Sequence, residues 1–379
     1  MKVYLDNAAT TPLDKEVLDA MIPVMKDQFG NPSSIHNFGR QTRALIENAR
    51  KSIAKFLNVS PAEIFFTSGG TEADNQAISC TITDLGIKHA ITSRIEHHAV
   101  LHTLEALEKQ GKIKLSFVKL TDKGHIDLKD LEELLKTNER SFVSLMHANN
   151  EIGNLLPMKD VGELCEKYNA IFHSDTVQTM GHYAMDLQAV NVHFVTGAAH
   201  KFHGPKGVGF LYISNKVKIS PFIHGGSQER NMRGGTENVY GIVGLVKAME
   251  IANRDMKEHQ QYIQGLKTYM IEQLEKNIPG LGFNGDAKGS SLYTVLNVLF
   301  PSNKNAEMML FNLDIQGIAA SGGSACTSGS NQGSHVLRNI GSDQTRPSVR
   351  FSFSKLNTKE EIDYCVSKLK EMYALKVAG

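Results

Sequence analysis

The sequence predicts an α/β protein, with a large domain on a mainly parallel sheet and a smaller α+β domain after it. Three observations carry this. Between about residues 60 and 215, short apolar runs alternate with segments of helical period, and strands that alternate with helices pair in parallel with helices on both faces. A long helical stretch, roughly 237–277, then interrupts the alternation, and beyond it the pattern turns to mixed strand and helix. Finally, 379 residues exceed what one simple core accommodates. The expected large domain is 15–259; the small domain is 260–379 joined by 1–14.

The strands are expected at EIFFT (63–67), HAITS (89–93), KLSFVKL (114–120), SFVSLMHA (141–148), AIFHSD (170–175), HFVTGAAH (193–200) and VGFLYIS (208–214). TEADNQAISCTI, AVLHTLEALEKQG, LKDLEELLK and MKDVGELCEKYN supply the helices between them. In the second domain YTVLNVLF and SVRFSFS read as strands. A last helix opens at Thr358, where Glu361 completes a capping-box signature.

Composition narrows the function classes. Forty-one basic residues against 40 acidic ones give no electrostatic case for nucleic acid or a membrane surface. No apolar run approaches the roughly 20 residues that span a bilayer, and the N-terminal MKVYLDNAATTP lacks an apolar leader. A cytoplasmic protein is expected. Cys80, Cys165, Cys326 and Cys365 form no CxxC pair, which argues against a zinc knuckle or redox dithiol.

In such folds ligands bind at the carboxyl ends of the strands, so the residues there are the candidates. FFTSGGTEADN runs from strand into glycines and then helix, a pattern that either caps a tight turn or cradles an anion; Gly70 and Thr71 are its key residues. Asp175 ends a strand, as a helix cap, a metal ligand or a partner for a buried cation, and Gln178 follows on the same side. In GAAHKFHGPKGVG, Lys201 stands at a strand end beside a glycine-proline turn, with Lys206 as its competitor. His97 occupies a strand-to-helix boundary. His98 and His102 lie one helical turn apart, but without HExxH or a third ligand they argue against catalytic zinc. Asn150 offers amide donors, and Arg350 in an apolar run needs an anionic partner, either a structural carboxylate or a substrate. A phosphate cup, a strand-end lysine, a strand-end aspartate and a carboxylate-seeking arginine together suit pyridoxal 5'-phosphate acting on an amino acid. Cys326 sits in SGGSACTSGSNQGS, a stretch rich in serine and glycine that reads as a loop.

LDNAATTP, FGNPSS, FTSGGTEADN, MHANNEIGN, HSDTVQ, AAHKFHGPKGVG, HGGSQERNMRGGTENV and SGGSACTS resemble, in order and spacing, the cysteine desulfurases of the NifS/IscS type. The resemblance implies a fold-type-I pyridoxal-phosphate transferase and a homodimer with active sites at the subunit interface. It implies conversion of L-cysteine to L-alanine with a persulfide on Cys326, passed to an acceptor such as an iron–sulfur scaffold or used for other thio-cofactors. A selenocysteine lyase is the alternative on the same scaffold. Position by position, the resemblance makes Lys201 the Schiff-base lysine, Asp175 the partner of the pyridine nitrogen, and Gln178 a donor to the ring oxygen near Asn150. His97 stacks on the ring and moves protons. Gly70, Thr71 and His200 hold the phosphate with Thr236 of the partner subunit, and Arg350 grips the substrate carboxylate. Cys326 is the nucleophile, with no resident metal beyond transient ligation of a cluster on a scaffold. Ala198 stands where the family often carries a phosphate-binding serine, and, with the sequence stopping at Gly379, the longer carboxyl-terminal tail by which the IscS branch docks its scaffold is not expected.

Overall fold

The computed structural model describes residues 1–138, 140–302, 308–322 and 333–374, with Ala374 through its backbone only. Along the chain the elements are β1 (Val3–Tyr4), α1 (Lys15–Asp27), α2 (Asn37–Phe56), β2 (Ile64–Thr67), α3 (Gly70–Asp84), β3 (His89–Thr92), α4 (His98–Lys109), β4 (Lys114–Phe117), α5 (Leu128–Lys136), β5 (Ser141–Ser144), α6 (Met158–Lys167), β6 (Ile171–Asp175), β7 (Phe194–Ala198) and β8 (Gly209–Ile213). They continue through α7 (Val239–Arg254), α8 (Met256–Asn277), β9 (Gly282–Phe283), β10 (Val295–Leu299), α9 (Met309–Ile315), β11 (Ile318–Ala319), α10 (His335–Asn339), β12 (Ser348–Ser352) and α11 (Lys359–Ala374).

All seven strands expected in the first part of the chain join one sheet, in the order β2-β8-β7-β6-β5-β3-β4. β8 runs antiparallel to both of its neighbours; the remaining pairs are parallel. The central strands are buried along their whole length, as for β5, β6 and β7, which is why they read as unbroken apolar runs rather than alternating ones. One apolar cluster fills each face of the sheet. The first joins Phe172, Phe210 and Leu145 to α1, α2 and α7, and the other sets Phe142, Phe194 and Leu211 against α3 and α4.

A third cluster belongs to a separate three-stranded antiparallel sheet, β12-β10-β9, covered by α8 and α11. The N-terminal strand β1 pairs in parallel with β11 and contributes Val3 and Leu5 to this cluster. The capping box of α11 forms as expected, with Glu361 accepting from the Thr358 amide at 3.1 Å and the Thr358 hydroxyl accepting from the Glu361 amide at 3.3 Å.

Two differences from the sequence reading have local causes. The stretch expected to be helical over 237–277 breaks at Asp255, whose backbone (φ −105°, ψ 11°) ends α7 and starts α8. The break coincides with the passage from one apolar cluster to another. Helices α1 and α2 precede the alternating region and were not among the elements read from sequence. Pro23 interrupts the pattern of the first, and the NPSS turn before the second masks where its period begins.

Candidate active site

The carboxyl ends of the parallel strands meet at a cavity of about 250 Å³. β2 delivers Gly70 and Thr71, β3 leads to His97, β5 to Asn150, β6 to Asp175 and Gln178, and β7 to His200 and Lys201. Arg350, from β12 of the small sheet, closes the wall, and Ala198 also lines the cavity. Every single-chain cofactor and substrate residue expected from the sequence therefore lines one space. Thr236 is exposed and does not line it.

Lys201 ends the short turn Ala199–Lys201 after β7. Its ammonium donates to the carbonyls of Ala8 at 2.6 Å and Ala9 at 2.9 Å, so the N-terminal segment is a wall of the site. Gln178 donates from Nε2 to the same Ala8 oxygen at 3.0 Å. Lys206 is exposed and does not line the cavity, whereas Lys201 does.

Asp175 is buried at the end of β6, and its Oδ1 accepts from the Val177 amide at 2.8 Å. Burial, then the neighbouring Asp74, push its carboxyl up to about 7. Asp74 is pushed to about 7 as well, chiefly by burial, with Oδ1 3.3 Å from His173 Nε2. A carboxyl in so dry a place is strongly improved by a cation beside it.

His97 caps α4, its Nδ1 accepting from the Ala99 amide at 3.2 Å. That bond assigns the proton of the neutral ring to Nε2. Burial and then Lys201 push its pKa down to about 4, so the imidazole is neutral at ordinary pH. Arg350 is 1% exposed; it donates to Asp6 Oδ1 and to the Asn150 carbonyl, each at 2.9 Å. His98 turns away from the cavity, stacked on His102 and 3.1 Å from Nδ1 of His335. Among the described residues, the group of three metal-capable side chains that converges is instead Asp74, His97 and Asp175.

Cys326 lies outside the described residues. The described chain before and after it is anchored by hydrogen bonds. Ser321 exchanges backbone hydrogen bonds with Arg350, at 2.6 and 3.2 Å. Ser334 donates to the buried Glu151 at 2.5 Å, and His335 reaches the Glu96 carbonyl at 3.0 Å. The other three cysteines are buried, and burial pushes their thiols up, Cys80 to about 11 and Cys365 to about 12. None of them can be a ready nucleophile.

The sequence reading passed over Asp6, Ala8, Ala9 and Asp74. Only Asp74 left a usable signal, as an acid on an otherwise apolar face of α3 with Ala73, Ala77 and Ile78.

Residues 3–365 match the model of the family described as "Aminotransferase class-V". The chain belongs to the class-V aminotransferase family. It is similar to "Cysteine desulfurase IscS" of Dictyoglomus turgidum, with 44% identity over 98% of this chain and 94% of the relative. Among solved structures it resembles a "NIFS-LIKE PROTEIN", with 38% identity, a TM-score of 0.91, and 99% and 100% of the two chains covered. It also resembles "SspA in complex with cysteine", with 31% identity, a TM-score of 0.82, and 94% and 100% covered.

The family's cofactor is pyridoxal 5'-phosphate, and the cavity fits it. The first turn of α3 has no side-chain cap, so its amides remain to meet a phosphate. A Cβ on Gly70 would come within 2.8 Å of Val177 Cγ2, so glycine keeps that approach open. The buried carboxyl of Asp175 would suit a pyridinium, and the amine of Lys201 would suit an aldehyde.

Proposed function

We propose that this protein is a cysteine desulfurase, which converts L-cysteine to L-alanine and leaves the sulfur as a persulfide on Cys326. One observation carries the reading. Lys201, Asp175, His97 and Arg350 converge on a single cavity in a chain aligned almost end to end with a relative of that name.

When bound, pyridoxal phosphate supplies an electron sink for the bonds around the substrate's α-carbon. Asp175 would stabilise the protonated ring nitrogen that makes the sink effective. Gly70, Thr71 and His200 would hold the phosphate, Gln178 and Asn150 the ring-oxygen side. Arg350 binds the substrate carboxylate and so fixes the direction of the Cβ–S bond. Lys201 anchors the cofactor and then carries the α-proton. His97 keeps a proton on Nε2 within the cavity and serves proton transfer near the sulfur. The Cys326 thiolate attacks that sulfur: an S–S bond forms, the Cβ–S bond breaks, and the carbon product gains protons to become alanine. The substrate carbon is reduced as the thiol is oxidised to persulfide.

The separate apolar clusters support 15–259 as the large cofactor domain, and 1–14 with 260–379 as the small one. An iron–sulfur scaffold as acceptor, a homodimer completed by Thr236 of the partner subunit, and a cytoplasmic location rest on the motif resemblance. No helix among the described residues is long and apolar enough to cross a membrane. The selenocysteine lyase reading has no observation in its favour.

The test is direct. Purified enzyme loaded with pyridoxal phosphate, given L-cysteine and dithiothreitol, should release alanine and sulfide in equal amounts without any keto acid. Absence of alanine, or a requirement for a keto acid, would overturn the reading.

A further inference from the structure

Arg350 is already paired before any substrate arrives. Nη2 donates to Asp6 and Nη1 to the Asn150 carbonyl, each at 2.9 Å, while Nε is buried without a hydrogen-bond partner among the described residues. Arg350 lines the cavity and Asp6 does not, so the aspartate holds the guanidinium without belonging to the cavity's own lining. The backbone around Asp6 is fixed by a parallel bridge to Ser352 and by the Ala9 amide donating to the Asp6 carbonyl at 3.0 Å. The hydroxyl of Tyr4, the nearest other titratable group on this segment, is tied to the Thr10 carbonyl at 2.8 Å. Lys201, Asp74 and Asp175 are further ionisable groups that line the cavity with Arg350, and His97 there is neutral.

A carboxylate entering the cavity must therefore share its arginine with a resident anion. Two carboxylates on one guanidinium repel each other, and the second is held less tightly than it would be by an unpaired cation. The α-carboxylate is also the part of cysteine that survives unchanged into alanine. Whatever grip Arg350 has on the substrate, it has on the product, and such uniform binding lowers KM without raising kcat.

We propose that Asp6 is a positioning residue that sets the strength of carboxylate binding, weakening the hold of Arg350 so that alanine leaves. This rests on the desulfurase reading. Asp6 also supplies the counter-ion that an enclosed arginine needs when the cavity holds no ligand.

The test compares the loaded wild-type enzyme with Asp6→Asn, which keeps an oxygen acceptor for Nη2 and removes the charge. Calorimetric titration with L-alanine should show about tenfold tighter binding by Asp6→Asn, the scale expected for removing one nearby like charge. Titration with ethylamine, which lacks the carboxylate, should give the same affinity in both proteins. KM for cysteine should fall, and kcat should fall with it as product release slows. Unchanged or weaker alanine binding would overturn the proposal, as would an equal shift for ethylamine. If Asp6→Asn does not accumulate folded, Asp6→Ser removes the same charge and is read in the same way. Wild-type enzyme that makes no alanine from cysteine defeats the desulfurase reading; active wild type with unaltered alanine affinity in the variant defeats only the role of Asp6.

Discussion

The carboxyl oxygens of Asp74 and Asp175 lie within 4.8 Å of each other in the cavity floor, both buried and both pushed up to about 7. Two like charges so close and dry do not both ionise readily. A cation beside Asp175 resolves the conflict by leaving Asp175 ionised and Asp74 protonated. Asp175→Asn should therefore weaken cofactor binding by about 10- to 100-fold, the worth of a charged hydrogen bond. Asp74→Asn, which replaces a neutral group by a neutral one, should change it by less than about threefold on the same scale. Visible absorbance during titration with pyridoxal phosphate measures both.

Acid stability follows from the histidines. Loss of solvent pushes His97, His147, His173, His182, His193, His200 and His203 down to about 4. In the unfolded chain each titrates near 6.5. The unfolded state therefore binds more protons between these values, and folding stability is lost as pH falls through that window. Asp74, Asp175 and Glu96 act with opposite sign, because burial raises all three carboxyls, which favours the folded state at low pH and costs stability as pH rises. Seven groups outweigh three. The urea midpoint of the cofactor-free protein should climb from pH 4 to about 6.5 and level off or decline above 7; a midpoint that rose toward acid pH would contradict this.

The nucleophile and the lysine separate in their effects. Cys326→Ala should keep the fold and the cofactor's visible band yet form no alanine beyond background. Lys201→Ala should lose the covalent attachment, leaving a cofactor that gel filtration removes. Sulfide release by the cysteine variant at the wild-type rate would contradict the assignment of Cys326.

A structural prediction concerns Arg50 and Glu229, a two-pronged ion pair at 2.8 and 2.9 Å with both side chains 2% exposed. Glu229 also accepts from the Phe66 amide at 2.8 Å, which ties the loop before α7 to β2. Among the described residues, removing Glu229 leaves the buried Arg50 with only the longer ion pair to Glu47, at 3.4 Å, so Glu229→Ala should cost about 3 kcal/mol in urea denaturation.

The large sheet and the strand-end residues were legible because they depend on local signals. Fully buried parallel strands appear as apolar runs, and chemistry at their carboxyl ends appears as polar residues after each run. Asp6 and the carbonyls of Ala8 and Ala9 were not legible. Their partners Arg350 and Lys201 are 344 and about 193 residues away, and a carbonyl's role carries no side-chain signature. The break at Asp255 was also hidden, since both flanking helices share the apolar period and only their packing into different clusters separates them.

The first dozen residues leave the ribosome long before their partners exist. Asn7 donates to the Ser352 carbonyl, and Ala8 to the Ser352 hydroxyl, so this segment waits for nearly the whole chain to be translated. The large sheet can assemble during synthesis, whereas the ammonium of Lys201 meets its two carbonyls only when the leading segment returns to dock. Contacts of such long sequence separation form late, so competence to react should be the last property that a nascent copy acquires.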